Sequence, residues 1–345
     1  MSDRDFGIDF GTSRVVIYAT GSGVILDEPA MIAIEKSSGR MFACGKEAYE
    51  MQGRAPASIE VVRPLEKGVI AHFDYACMML KYFMQKVCAR KIVKPRTAVT
   101  IPASVTAVEQ CAFQDVLYAA GARQVLLIEK TMAAAVGAGV DVEMPQGSMV
   151  VEIGAGTTDV AVTSLGGLAS SCSNRIGGDA LDEAIMRYMR QKYQLVIGKL
   201  MAEKLKIEIG KVANYGSELT MQAKGRHAVS GLPCIVEVTS SDIVEAVKES
   251  IAEMMKTIKT ALENTPPELS ADIYDNGIIL TGGTVLMRGM ERLVTEVTGI
   301  HCRIAHEPMY CVAKGAAATL LQPNAPHTGI YDVEQFLQHG SETMP

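Results

Sequence analysis

The chain has 345 residues, and its 33 Lys and Arg residues against 39 Asp and Glu residues give a formal charge of −6. This length predicts about two to three domains, and the mildly acidic balance argues against a dedicated nucleic-acid-binding protein. Hydrophobic residues make up 48% of the chain and aromatic residues 5%. The composition therefore excludes a disordered protein and predicts cores built from aliphatic side chains.

The predicted elements alternate between strands and helices, which favours an α/β fold with mixed sheets. Helical spacing of apolar residues covers 73–87 and 243–262, and the second helix is predicted to begin near Ser241 and Asp242 and to end at Pro266-Pro267. Buried strands are predicted where Val, Ile and Leu cluster, at 97–101, 124–128, 148–153 and 277–280.

Cysteine spacing and the N-terminal residues bear on the compartment. The eight cysteines form no C-x-x-C pair, which predicts that most are buried thiols in a reducing compartment. The start, MSDRDFGIDF, carries charges where a signal peptide is apolar, and no stretch offers about 18 uncharged apolar residues. We expect a cytoplasmic protein, with peripheral membrane contact left open.

One pattern occurs twice, about half a chain apart. FGIDFGTSRVVIY around Asp9 and VVEIGAGTTDVAV around Glu152 each contain an apolar strand, an acid, a glycine turn with Thr or Ser, and a second apolar strand. The repeat predicts two domains of the same plan, whose turns face one another across a cleft. We place these domains at 1–145 and 146–322, followed by a C-terminal tail at 323–345.

The two glycine turns suit a polyphosphate. Glycine allows close backbone approach, and the amide and hydroxyl groups of such a bend can bind an anion. The acids before the turns, Asp9 and Glu152, would hold Mg²⁺ or its water shell. A single glycine hairpin is usually only a turn, so it is the pair that favours a phosphate site.

Further candidate sites follow along the chain. Gly177-Gly178-Asp179 lies before a predicted helix, and the LTGGT segment at 280–284 lies before a helix predicted to begin at Leu286; backbone amides at such junctions meet ligands. Glu203 and Lys206 lie on one face of another predicted helix, where both can form hydrogen bonds with ribose hydroxyls. Ordinary loops and a solvated ion pair are the alternatives.

The two glycine turns and the later glycine loops occur in the same order along the chain as the nucleotide motifs of the actin-like superfamily. The chain therefore resembles that superfamily, and within it the MreB family of bacterial actin homologues. Four segments carry the closer resemblance: VVRPLEKGVIAHFDYACMMLKYF at 61–83, GGDALDEAI at 177–185, KIEIG at 206–210 and LENTPPELSADIYDNGIILTGGT at 262–284. The resemblance extends from about residue 6 to residue 321.

The resemblance implies an actin-like fold of two domains flanking an ATP cleft, with ATP and Mg²⁺ as cofactors. It also implies a filament of many copies of the chain, at the inner face of the cell membrane, that works with the cell-wall elongation machinery in rod-shaped bacteria. By position, it assigns nucleotide contacts to Asp9, Gly11, Thr12, Ser13, Arg14, Gly154, Gly156, Thr157, Thr158, Gly178, Asp179, Glu203, Lys204, Leu205, Lys206, Gly282, Gly283, Thr284 and Val285.

One departure from the family bears on catalysis. The family usually reads IEEPMAAA where this chain reads IEKTMAAA at 128–135, and its second Glu orients the water that attacks the γ-phosphate. Lys130 cannot act as that carboxylate and is expected to pair with the γ-phosphate, while Glu129 is expected to point elsewhere. With Thr157 and Thr158, these two residues are the candidate catalytic residues. We expect ATP binding with slow or no hydrolysis.

Other departures accompany Lys130. Glu152 replaces an Asp, Ala155 replaces a turn glycine, Arg14 replaces a small polar residue, and Thr284 replaces the third glycine of the adenosine loop. Neutral drift in an active ATPase is the alternative interpretation. A subunit that does not hydrolyse ATP would lengthen the lifetime of a copolymer with a more typical paralogue.

The segment ARKIVKPR at 89–96 places Ile92 and Val93 among four cations. This pattern suits shallow insertion beside anionic lipid head groups, and a basic surface loop is an equal alternative. The tail segment 330–337 suits a short helix. The rival functions are a small-molecule kinase or another non-polymerising ATPase of the superfamily, including a chaperone-like one, although no segment that would build a substrate domain is evident.

Overall fold

The computed structural model describes residues 5–88, 95–321 and 330–332. The first half of the chain contains β1 (Asp5–Phe10), β2 (Arg14–Ala19), β3 (Gly23–Pro29), β4 (Ile32–Glu35), β5 (Met41–Cys44), α1 (Lys46–Glu50), β6 (Ile59–Val62), β7 (Leu65–Glu66), β8 (Val69–Ile70), α2 (Phe73–Cys88), β9 (Arg96–Ile101), α3 (Ala107–Ala119), β10 (Gln124–Glu129) and α4 (Lys130–Gly137). The second half contains β11 (Ser148–Ile153), β12 (Thr158–Ser164), β13 (Gly167–Asn174), α5 (Gly178–Tyr193), β14 (Leu195–Val196), α6 (Lys199–Ile209), β15 (Thr220–His227), β16 (Pro233–Thr239), α7 (Ser240–Glu263), α8 (Pro267–Asn276), β17 (Ile278–Thr281), α9 (Met290–Thr298), β18 (Cys302–Ile304), α10 (Cys311–Thr319) and β19 (Ile330–Asp332).

Two large mixed sheets follow one plan. The first has the strand order β3-β2-β1-β9-β10, with β19 beside β10, and the second has the order β13-β12-β11-β17-β18. In each, three antiparallel strands continue into two parallel strands. The predicted α/β class and both predicted hairpins are confirmed, and the domain boundaries stay predictions.

Smaller sheets extend both halves beside the cleft. The sheet β5-β4-β6, with α1 packed on it, belongs to the first half, and the sheet β14-β15-β16, next to α6, belongs to the second. The hairpin β7-β8 carries Lys67 and Gly68 at its tip, both at positive φ. These parts bring side chains from distant stretches of sequence toward one cavity.

In the part of the chain that the structure describes, aliphatic side chains fill three large cores and a smaller one around Met31, as the composition predicts. The first lies beneath the β1 sheet and includes Phe6 and Leu80, and the second lies beneath the β11 sheet and includes Met149 and Ile258. A third core joins the halves through α4 and α10 and includes Met132. Burial of this apolar surface is the main source of stability.

Glycines let α4 and α10 approach closely. A Cβ built on Gly137 would lie 1.8 Å from the Cys311 carbonyl oxygen, and one on Gly315 would lie 1.8 Å from the Ala133 carbonyl oxygen. No other residue type fits such a backbone contact. Since α4 also packs on β11 and α10 on β1, the two helices tie the sheets together.

The predicted helices and strands are found with small shifts at their ends. The helix predicted at 73–87 is α2, and the predicted strands are β9, β10, β11 and β17. Helix α7 begins at Ser240 and is capped by Thr239, whose hydroxyl and backbone exchange hydrogen bonds with Asp242 in a capping box. Pro266 precedes α8, in which Pro267 takes the first position that suits proline.

Two predicted helices differ from the structure over part of their length. A single 3₁₀ turn, Thr284–Leu286, replaces the start expected at Leu286, and α9 begins at Met290 because Gly289 adopts φ +85° just before it. Residues 330–332 form a strand that pairs with β10, so the tail returns to the body as strand, not helix, at these positions.

The remaining expectations concern the proposed membrane loop, the cysteines and membrane-spanning segments. Ile92 and Val93 lie outside the described residues. All eight cysteines are free thiols, of which Cys44, Cys302 and Cys311 are buried, so the prediction that most are buried is wrong. In the described part of the chain, no helix combines the length and apolarity needed to cross a bilayer.

Candidate functional site

A cavity of about 760 Å³ opens between the two large sheets. Both glycine hairpins line it, together with the N-terminus of α5, one face of α6 and the loop after β17. The carboxyl end of β1 meets the turn at Gly11, and the carboxyl end of β11 meets the turn at Gly154. The duplicated plan of the sheets therefore brings the two turns to one place.

The two turns have the same internal geometry and touch each other. The Gly11 amide donates to the Arg14 carbonyl at 3.0 Å, and the Gly154 amide donates to the Thr157 carbonyl at 3.0 Å. A Cβ built on Gly156 would lie 2.4 Å from Thr12 Oγ1, so only glycine fits at that contact. The Gly68 amide also donates to Thr12 Oγ1, at 3.0 Å.

Hydrogen bonds to its carbonyl groups fix the second turn. The Gly178 and Asp179 amides, at the start of α5, donate to the carbonyls of Gly154 and Ala155 at 2.9 and 2.8 Å. The Thr284 hydroxyl donates to the Gly154 carbonyl at 2.8 Å. This contact gives Thr284 a structural role, since it joins the loop after β17 to the second glycine turn.

Lys130 is paired inside the cavity. Its Nζ lies 2.8 Å from Glu152 Oε2, with side chains 12% and 3% exposed. Burial raises the pKa of Glu152 to about 7, against the opposing effect of Lys130. Burial would lower the pKa of Lys130, but Glu152, Asp9 and Asp159 outweigh it and raise that pKa above its ordinary value. The ammonium therefore stays charged at neutral pH, and its pairing with a γ-phosphate stays a prediction.

Two further carboxylates surround this pair. Burial raises the pKa of Asp9 above its usual value, opposed by Lys130 and by the Thr100 hydroxyl 3.5 Å away. Asp159 is fully buried and accepts hydrogen bonds from the hydroxyls of Thr157 at 2.6 Å and Ser173 at 2.5 Å. Near the two glycine turns, Lys130 thus lies among two acids that line the cavity, Asp9 and Glu152, and a third that is buried behind them, Asp159.

Glu203 and Lys206, expected to act together on a ribose, have separate partners in the structure. Glu203 Oε2 accepts a hydrogen bond from the Tyr49 hydroxyl at 2.8 Å. Lys206 Nζ lies 2.8 Å from Asp182 Oδ1 and donates to the Gly178 carbonyl at 3.0 Å. Burial raises the pKa of Asp182 to about 6, and Lys206 opposes that shift. Both predicted residues still line the cavity.

Ion pairs steady other parts of the wall. Arg63, in the first half, donates to Asp179 Oδ1 in the second at 2.5 Å. Arg14, which departs from the family residue, donates to Asp27 Oδ1 at 2.9 Å, and the Tyr310 hydroxyl donates to Asp27 Oδ2 at 3.0 Å. Arg14 is thereby held along β3.

Most sequence-predicted site residues come together in this cavity. The predicted residues that line it are Asp9, Gly11, Thr12, Ser13, Arg14, Lys130, Glu152, Gly154, Gly156, Thr157, Gly178, Asp179, Glu203, Lys206, Gly282, Gly283 and Thr284. Those outside its lining are Glu129, Thr158, Lys204, Leu205 and Val285. Leu205, Val285 and Thr158 are fully buried, and the Thr158 hydroxyl donates to the Ile176 carbonyl at 2.8 Å. Their ligand roles, like those of the lining residues, stay predictions.

Sequence reasoning missed several lining residues. Tyr49 comes from α1, Arg63 from the residue after β6 and Gly68 from the tip of the β7-β8 hairpin, segments whose sequence carries no phosphate or ribose pattern. Asp182 lies in the GGDALDEAI segment, three residues after Asp179 and therefore on the same face of α5. That helical spacing is the signal that could have found it.

Known proteins resemble this chain over most of its length. The family model described as MreB/Mbl protein matches residues 3–327. The cell shape-determining protein Mbl of Bacillus cereus is 43% identical over 321 residues, which cover 93% of this chain and 96% of that protein. The cell shape-determining protein MreB of Escherichia coli K12 is 41% identical over 326 residues, which cover 93% and 94%.

Solved structures match over the whole fold. The crystal structure of MreB5 of Spiroplasma citri bound to ADP has a TM-score of 0.89 at 33% identity and covers 93% of this chain and 97% of that chain. The same protein bound to AMPPNP has a TM-score of 0.86 at 31% identity, with 99% of both chains covered. The actin-like fold expected from the resemblance is confirmed. From its sequence and its fold, this chain belongs to the MreB/Mbl family of cell shape-determining proteins, the bacterial homologues of actin.

Proposed function

We propose that this protein binds ATP and forms actin-like filaments that take part in rod-shape determination and guide cell-wall synthesis, with weak or no ATP hydrolysis. The observation that carries the proposal is the pair of touching glycine turns, Thr12 against Gly156, at one end of a cavity of about 760 Å³. Relatives of the same fold have been solved with ADP and with AMPPNP.

The cavity offers a place for each part of the nucleotide. The two turns present backbone amides and the hydroxyls of Thr12, Ser13 and Thr157 to the phosphates. Glu203 lies on α6 where it can accept hydrogen bonds from ribose hydroxyls once Tyr49 releases it. The loop after β17, from Gly282 to Thr284, would cover the adenosine.

Weak hydrolysis follows from the chemistry at position 130. A nucleophilic water needs a carboxylate or a similar acceptor to orient it, and an ammonium group has no acceptor. Glu129 begins the turn into α4 and lies outside the cavity lining, so it does not replace the missing acid. Lys130 supports phosphate binding but not water activation.

The Mg²⁺ predicted at Asp9 and Glu152 does not fit these residues as they stand. Mg²⁺ requires a near-octahedral shell of oxygen ligands, and the Lys130 ammonium lies 2.8 Å from the Glu152 oxygen that would face it. Within the described residues, no group of three or more His, Cys, Asp or Glu side chains is arranged to hold a metal ion. No step of the proposed function therefore depends on a metal ion at these two carboxylates.

The experiment is a paired assay on purified protein with ATP and Mg²⁺, in which polymer pelleting and phosphate release are followed in the same tube. Pelleting with little phosphate is the expected result, and the Lys130→Glu variant is expected to regain phosphate release. Rapid phosphate release by the wild-type protein would contradict weak hydrolysis. ATP binding without pelleting would favour the rival, a non-polymerising ATPase of the superfamily.

The proposed partners are further copies of this chain, a more typical paralogue in a copolymer, and the elongation machinery at the inner face of the membrane. Separate sedimentation of the two purified paralogues would count against copolymers.

Membrane contact through Ile92 and Val93 is tested by pelleting with anionic liposomes. Replacement of both residues by Ser is expected to abolish co-pelleting, and unchanged co-pelleting would dismiss this loop.

A further inference from the structure

Lys130 occupies an unusual position for a cation. It is the first residue of α4, and the N-terminus of a helix carries partial positive charge, which disfavours a lysine there. The side chain is nonetheless 12% exposed and directed to Glu152 Oε2 at 2.8 Å. A Cβ built on Gly154 would lie 3.0 Å from Lys130 Nζ, so the ammonium also lies against the second phosphate turn.

The surrounding acids account for this position. Glu152 is in direct contact, Asp9 approaches from the first turn, and Asp159 lies behind with both oxygens held by the hydroxyls of Thr157 and Ser173. Two acidic side chains in the cavity lining, with a third buried behind them, would repel a polyphosphate unless a cation offset them. Lys130 supplies such a charge from within the chain.

A divalent ion and this ammonium compete for one place. To bind Glu152 directly, the ion must displace Lys130 Nζ from a carboxylate that is 3% exposed. The displaced ammonium would lose its contact with Glu152 and stay buried beside a divalent charge, which is unfavourable. The closed shell that Mg²⁺ requires is therefore hard to complete here.

We infer that Lys130 is the resident cation of this site, so that the protein binds nucleoside triphosphate without a divalent metal ion at Asp9 and Glu152. The inference rests on the proposed nucleotide binding and deepens it. The ammonium offsets the carboxylates and lies at the second turn, where it meets the phosphate chain. Affinity for the nucleotide is then set by the protein and not by the metal concentration.

The test is isothermal titration of the full-length wild-type protein with ATP, once with excess Mg²⁺ and once with excess EDTA. The dissociation constants are expected to differ by less than about fivefold, and a larger loss of affinity in EDTA would overturn the inference. Absence of ATP binding in both media would show that the protein has no nucleotide site. Failure of the proposed function is thereby distinguished from failure of this inference.

Substitutions of Lys130 test whether this side chain makes ATP binding independent of Mg²⁺. Lys130→Glu is expected to make ATP binding at least about tenfold weaker in EDTA than in Mg²⁺, because the added carboxylate requires a metal ion. Lys130→Gln removes the positive charge without adding a carboxylate, and it serves as the test if Lys130→Glu does not fold. It is expected to bind ATP more weakly than wild type in EDTA and to recover part of that affinity with Mg²⁺. Lys256→Met, on the exposed face of α7, is the matched control and should behave as wild type. An unchanged ratio in both Lys130 variants would overturn the inference.

Discussion

The Tyr49 hydroxyl donates a hydrogen bond of 2.8 Å to Glu203 across the cleft, between residues 154 positions apart in the sequence. With the Arg63–Asp179 contact at 2.5 Å, it joins the first half of the molecule to the second beside the cavity. If Glu203 binds a ribose as proposed, we expect the ribose to compete with this hydroxyl for the carboxylate.

Replacement of Tyr49 by Phe should destabilise the free protein but not the complex with ATP. The hydrogen bond to a partly buried carboxylate contributes about 1 kcal/mol, and this contribution disappears once Glu203 is engaged by ribose. Urea unfolding with and without saturating ATP measures the difference. Tyr274→Phe, at an exposed tyrosine of α8, is the control. An equal loss of stability with ATP present would mean that Tyr49 keeps its partner in the complex.

The ribose role proposed for Glu203 is tested with deoxy nucleotides. We expect the wild-type protein to bind ATP roughly tenfold more tightly than an analogue that lacks a ribose hydroxyl, because Glu203 is left with an unpaired oxygen. In Glu203→Ala this preference should vanish, since neither nucleotide then has a partner. Competition with a fluorescent ATP analogue gives both affinities. A preference that survives the substitution would assign the ribose to other side chains.

Substitution of Gly156 should separate the two phosphate turns. The Cβ of Gly156→Ala would lie 2.4 Å from Thr12 Oγ1 and 2.9 Å from the Gly68 amide nitrogen, so the turns must move apart. We expect ATP affinity to fall by at least about tenfold, since phosphate binding needs both turns at once. Gly198→Ala is the control, because its Cβ would meet nothing within 4 Å. Equal affinities for the two variants would show that the turns act independently.

Acid should destabilise the protein through Asp242. Burial alone would raise its pKa, but hydrogen bonds from Lys192, the Thr239 amide and Tyr193 outweigh burial and lower the pKa to about 2. The ionised carboxylate therefore stabilises the fold above the ordinary pKa of 3.8, and this contribution is lost as the pH falls toward 2.

The matching variant is Asp242→Asn. It should lower the free energy of unfolding by about 2 kcal/mol at pH 7, since it weakens a capping box and a charged hydrogen-bond network. The difference from wild type should shrink between about pH 4 and pH 2, as measured by denaturant titration at each pH. Asp275→Asn, at an exposed position of α8, should differ little from wild type at any pH. A difference that stays constant with pH would assign the effect to packing alone.

The local patterns of the sequence determine much of this molecule. An apolar strand, an acid and a glycine turn, repeated around Asp9 and Glu152, predict both hairpins because alternation and turn chemistry act over a few residues. Helix α2 and the body of α7 follow from apolar spacing in the same way. The prediction of weak hydrolysis also comes from the sequence alone, since it depends on the residue type at position 130.

The tertiary structure decides what these elements meet. Tyr49 reaches Glu203, and Lys130 pairs with Glu152, because two sheets pack through α4 and α10 at one separation and angle, and no local pattern encodes that geometry. The start of α9 and the strand at 330–332 were missed for the same reason, since Gly289 and the free edge of β10 act through their surroundings. Packing between the two halves decides which side chains meet across the cleft, whereas each glycine turn, proposed to bind phosphate, is built from residues that are neighbours in the chain.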